Sequence, residues 1–137
     1  MSTVILTKKG PGGIATVQQQ IDRIRGGLSF RAAENLQKAL SMPMEKLAVI
    51  LGLSRATLHR RKVQGKLGQA ESEKLVRYQQ LLKKASEVFG NADDARLWLT
   101  HPQPGLGNAV PIDFARSEIG AREVENLLGR IEYGVYS

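Results

Sequence analysis

The side chains whose types and spacing could do chemistry are concentrated in residues 44–63, Met44-Glu-Lys-Leu-Ala-Val-Ile-Leu-Gly-Leu-Ser-Arg-Ala-Thr-Leu-His-Arg-Arg-Lys-Val63. A small residue at Ala48, Gly52 for a left-handed turn, Leu53 as a corner plug, Ser54 as a cap and Leu58 as an inward anchor have the offsets of a helix-turn-helix. With Leu58 turned inward, the second helix leaves Ser54, Arg55, Ala56, Thr57, His59 and Arg60 for an outer partner. In a helix-turn-helix that face enters the major groove of DNA, its first turns against base edges, and the arginine fork matches guanine O6 and N7. Arg61, Lys62 and Lys66 are placed to neutralise phosphates. Arg61 departs from the pattern, since an apolar residue is more usual there. Its methylenes are expected to pack inward while the guanidinium reaches out to the DNA backbone. The residues leave a second reading open, a core hairpin with a solvated basic face.

No other polar grouping matches this one. His59 and His101 are 42 positions apart, and neither stands at a metal-ligand spacing. Asp93 and Asp94 resemble a carboxylate pair, but they fall in the first turn of a helix, where acidic groups complement the macrodipole. Gly105-Leu-Gly107 is too short and follows no strand, so it does not read as a phosphate loop. Trp98 lies on an apolar stripe and is expected in the core. The absence of cysteine excludes disulfides, thiolate metal sites and cysteine nucleophiles. No catalytic, metal or cofactor site is therefore expected.

The elements that must position this face are helical throughout. Val17, Ile21 and Ile24 recur at i, i+4 and i+7, and Phe30, Ala33, Leu36 and Leu40 share the face of a second segment capped by Ser29. Pro43 stands where a first helical residue belongs, followed by Leu47, Ile50 and Leu51, which Gly52 ends. Ser54 starts a segment from Arg55 to about Val63. A long helix, roughly Ala70 to Phe89, carries Leu75, Tyr78, Leu82, Ala85 and Phe89 as one apolar seam. Gly90 closes it and Asn91 caps a short helix with Ala95, Trp98 and Leu99. His101 to Pro111, with three prolines and two glycines, reads as a loop. A helical turn near Ile112–Arg116 leads to an amphipathic helix from about Ala121 to Glu132, with Val124, Leu127, Leu128 and Ile131 on one face. No alternating strand pattern of any length occurs.

The chain of 137 residues is 42% apolar and 24% charged, which is ordinary globular composition. Its net charge of +7 is unevenly placed. Residues 55–84 hold nine Lys/Arg against two Asp/Glu, and residues 85–137 hold four against eight. A basic middle and an acidic end suit a polyanion on one side and a different partner on the other. No apolar run approaches the roughly 18 residues needed to span a bilayer, and Met1–Gly13 has no signal-peptide core. The cytoplasm is the expected compartment. Lys8 and Lys9, in an N-terminal arm expected to be mobile, could touch phosphates.

About residues 28–137 resemble a known family. Thr57-Leu-His-Arg-Arg-Lys62, Glu71-Ser-Glu-Lys-Leu75, Ala85 with Val88-Phe-Gly90, Ala95 with Trp98-Leu99, Pro104-Gly-Leu-Gly107 leading to Pro111-Ile-Asp113, and Gly120 through Val124, Leu128 and Ile131 to Tyr133-Gly-Val135 are similar to Xre/MbcA/ParS-type antitoxins. These follow a helix-turn-helix with a helical toxin-binding domain and pair with RES-domain toxins. The resemblance implies an antitoxin that binds its own operator and neutralises an NAD-consuming toxin.

The expectation is thus an all-α protein without enzymatic activity: a flexible arm at 1–15, a DNA-binding helix-turn-helix domain at 16–68 and a toxin-binding domain at 69–137. The partners are double-stranded operator DNA, a RES-domain toxin and further copies of the chain, either as a homodimer, which suits a palindromic operator, or as a higher hetero-oligomer with the toxin. Toxin contact is assigned to Tyr133, Gly134, Val135, Tyr136 and Ser137. Gly134 lets the chain leave the last helix, and tyrosines with a carboxylate suit a cleft that holds a dinucleotide phosphate. Fraying of this tail is the alternative at that site. The alternative for the whole chain is a stand-alone transcriptional regulator whose C-terminal part mediates dimerisation or binds another protein.

Overall fold

The computed structural model describes residues 14–134. Lys8 and Lys9 of the arm, and Val135, Tyr136 and Ser137 of the tail, lie outside the described residues. Among the described residues eight α-helices follow one another: α1 (Ile14–Gly26), α2 (Phe30–Ala39), α3 (Met44–Leu51), α4 (Arg55–Gln64), α5 (Gln69–Phe89), α6 (Ala92–Leu99), α7 (Pro111–Phe114) and α8 (Glu118–Glu132). A 3-10 turn, Pro104–Leu106, sits between α6 and α7. Among the described residues there is no strand, only isolated bridges between Ser29 and Lys66 and between Gln103 and Ala109.

Local chemistry explains most helix ends. Gly52 stops α3 at φ 76°, a left-handed conformation open to glycine at little cost. Asn91 caps α6 by accepting from the Asp94 amide at 2.8 Å, and Ser117 caps α8 by accepting from the Gly120 amide at 3.0 Å. Two expectations shift. Pro43 is the residue before α3 rather than its first residue, its carbonyl accepting from the Lys46 and Leu47 amides. Ser29 precedes α2 in extended conformation but makes no side-chain cap. Its place in the backbone is set instead by a short ladder, Phe30 N–H to Gly65 O at 3.0 Å and Leu67 N–H to Leu28 O at 2.8 Å. That ladder ties the entry of α2 to the exit of α4.

The core is one contiguous cluster running from Leu28 to Leu128, and α5 is its spine. This helix touches α1, α3, α6 and α8. Elements on several sides bury a wider arc than a single seam: Leu75, Val76, Tyr78, Leu81 and Ala85 are buried. Leu82 and Phe89, expected in the seam, are only half-buried, and Leu81 takes the central place. Trp98, expected in the core, is also half-buried and packs tilted against Phe89, with 5.8 Å between ring centroids and 42° between the ring planes. The stretch from His101 to Pro111 is ordered by its own hydrogen bonds, Gln103 N–H to Ala109 O at 3.0 Å and Asn108 N–H to Gln103 O at 2.9 Å.

Candidate DNA-reading face and toxin-facing half

Leu47, Ala48, Ile50 and Leu51 bury α3, and Leu53 turns back to donate its amide to Ala48 O at 2.8 Å. The corner therefore forms as the spacing predicts, and α4 starts beyond it with Ser54 Oγ accepting from the Thr57 amide at 3.1 Å. Within α4 no residue is fully buried. Leu58 packs half-buried against the core from beneath. Arg55, Ala56, His59, Arg60 and Lys62 are exposed, as are Ser54 at the cap and Lys66 beyond the helix. Thr57 is partly withdrawn: it is half-buried and its Oγ1 accepts from Ser54 Oγ at 3.0 Å, so it helps fix the cap.

Arg61 differs from the expectation. Its guanidinium does not reach out; Nε donates to Glu71 Oε2 at 2.6 Å, with 25% of the arginine side chain and 7% of the glutamate side chain exposed. Burial alone would raise the Glu71 carboxyl, but the Arg61 hydrogen bond, its own amide and that of Gly68, and the arginine charge together hold it below the ordinary glutamate value. The sequence reading missed this pair. The available signal was an acidic residue in a stretch with only two, standing in the first turn of the helix after the α4–α5 corner.

In the C-terminal half, α6 and α8 pack on α5 with Ala95, Leu99, Val124, Leu127 and Leu128 buried. Ile131 is half-buried. Lys84 of α5 pairs with Glu132 of α8 at 3.7 Å, and beside that pair Glu125, Asn126, Gly129, Arg130 and Tyr133 line an open groove. Tyr133 is 81% exposed at the helix end, and Gly134 follows at φ 74°. The expected tail thus begins on an exposed aromatic, and its last three members lie outside the described residues. His59 is exposed on α4, while His101 is exposed in the loop with Nδ1 donating to Leu97 O at 2.7 Å. Among the described residues no three His, Asp or Glu side chains gather as a metal site, and no helix is long and apolar enough to cross a membrane.

A capped, unburied basic helix beyond a tight turn, joined through one spine helix to a second helical layer, defines a helix-turn-helix protein with an appended partner-binding half. Residues 19–79 match the family model of the antitoxin Xre-like helix-turn-helix domain, and residues 84–134 match that of the antitoxin Xre/MbcA/ParS C-terminal toxin-binding domain. The chain is 32% identical over 119 residues to Antitoxin Xre of Yersinia enterocolitica, covering 85% of this chain and 80% of that relative. It is 31% identical over 113 residues to Antitoxin Xre of Photorhabdus laumondii, covering 81% and 76%. The chain belongs to the Xre antitoxin family, and it is an antitoxin of a toxin–antitoxin system. The two matched stretches meet inside α5.

Proposed function

We propose that this antitoxin has two activities: its helix-turn-helix binds operator DNA to repress its own operon, and its C-terminal half binds and blocks a RES-domain, NAD-consuming toxin of a type II system in the cytoplasm. The observation that carries the DNA activity is α4 itself. Its outer face holds Arg55, Ala56, His59, Arg60 and Lys62 exposed behind a hydrogen-bonded Ser54 cap, with Lys66 just beyond. A helix with no fully buried residue turns most of its surface outward, and a DNA partner can cover that basic face. A homodimer would place two such helices on a palindromic site.

Toxin neutralisation is assigned to the end of α8, with Tyr133 and Gly134 leading into Val135, Tyr136 and Ser137. A large exposed tyrosine at a helix terminus is an anchor of the kind that dominates protein interfaces. The test is reconstitution with the product of the adjacent gene. Co-purification of a RES-domain protein whose NAD consumption is silent in the complex and active alone is the expected result. A complex that leaves NAD consumption intact, or the absence of any complex, overturns the RES-domain reading and the role assigned to the tail.

A further inference from the structure

The described part of the chain holds two buried polar or charged residues, Glu71 and Ser72, side by side at the start of α5. Ser72 Oγ accepts from the Leu28 amide at 2.9 Å, and Glu71 accepts from Arg61 Nε at 2.6 Å. Three segments therefore meet at one polar seam: the entry to α2, the end of α4 and the first turn of α5. Gly68 makes room for it. A Cβ there would stand 2.7 Å from Arg61 Nη2 and 2.7 Å from Glu71 Oε1, so the ion pair occupies the space that a side chain would fill. The guanidinium lies across the α4–α5 corner, not along the outer face of α4.

Among the described residues the other cations of α4, Arg55, Arg60 and Lys62, have no acidic partner within 4.0 Å, whereas Arg61 does. We propose that Glu71 is a positioning residue for DNA binding: it pins the end of α4 to the spine and withholds the Arg61 charge from the DNA backbone. This rests on the DNA-binding reading above. Each phosphate neutralised by a protein cation releases counterions and steepens the fall of affinity with salt. A cation already compensated by a buried carboxylate releases none, and extracting it would strand that carboxylate. Arg60, Lys62 and Lys66 then carry the phosphate contacts of this segment while Arg61 fixes the helix they stand on.

The experiment measures log affinity against log salt for a 30-base-pair duplex of random sequence, with folding of each variant checked by circular dichroism. Glu71→Gln keeps the shape but removes the charge, which frees Arg61. Its slope should steepen by about 0.9, one added phosphate contact. Adding Arg61→Met to Glu71→Gln should return the slope to that of the unsubstituted chain. In the unsubstituted chain the Arg61 Nε–H proton resonance should stay in place when duplex is added. A slope unchanged by Glu71→Gln, or an Arg61 resonance that moves on duplex addition, overturns the inference while leaving DNA binding intact. An unsubstituted chain without salt-dependent affinity for the duplex overturns the DNA-binding reading and this inference with it.

Discussion

At the scale of single residues, the exposed cations near α4 should divide by what they touch. Arg55 stands in the first turn of α4, exposed and beside the cap, where a helix-turn-helix meets base edges. Arg55→Ala should cost about 1–3 kcal/mol at the operator and reduce discrimination. Lys66→Ala should weaken binding to all sequences alike. Titrations against operator and random duplex check both, and an equal loss on the two for Arg55→Ala would remove it from base reading. Tyr78 makes a different point. It is 1% exposed, its hydroxyl has no hydrogen-bond partner among the described residues, and burial pushes its ionisation up to about 12. A phenol whose folded value is raised contributes stability that is complete below its ordinary value of 10.0 and is lost as pH climbs toward about 12. Tyr78→Phe removes an unpaired buried polar group at nearly constant shape. It should be neutral or stabilising by about 1 kcal/mol at pH 7 and should flatten that alkaline loss, as denaturant melts at pH 7 and above pH 10 will show.

At the scale of elements, α8 divides into a stripe committed to the core and an end that is free of it. Its buried stripe, Val124, Leu127 and Leu128, is committed to the core against α5. Its end is not, since Tyr133 projects with 81% of its surface exposed. Deleting 133–137 removes nothing that the described core uses. The truncated chain should therefore keep its melting temperature and its operator affinity, while the toxin in the mixed complex regains NAD consumption. Full suppression by the truncated chain at equal occupancy would move the inhibitory contact elsewhere on the half, with the open groove between Lys84 and Arg130 next in line. The helices themselves were legible because their signals are local: the caps at Ser54 and Asn91 and the stop at Gly52 are decided within one turn of chain. Ser29 was misread because its backbone is held by residues 65–67, which no local window contains.

At the scale of the whole molecule, α5 makes the two halves one body. Leu75 has no exposed surface and sits in a cluster that extends from Leu28 to Leu128. Leu75→Ala should cost about 2–5 kcal/mol. Far-ultraviolet circular dichroism and Trp98 fluorescence should report one shared transition, not separate unfolding of a DNA-binding and a toxin-binding part. Acid should act on the Arg61–Glu71 pair. Because Glu71 is held below its ordinary 4.5, it contributes stability that is present above that value and lost as pH falls through its lowered one. Glu71→Gln should remove this part of the acid dependence, measured by urea melts from pH 7 down to pH 3.

The sequence by itself determined the all-helical architecture, the helix-turn-helix and the outward basic residues of α4, because each follows from spacing and capping within a few residues. It also carried the antitoxin family, through a set of short motifs spread from Thr57 to Val135. What only the tertiary structure decided were the relations between segments: that Arg61 turns to Glu71, that Ser72 takes the Leu28 amide, and that Leu81 rather than Leu82 faces the centre. Each of these depends on which element arrives at α5 from outside its own stretch of chain. A long helix with apolar residues around much of its circumference cannot choose its buried arc until its neighbours are in place.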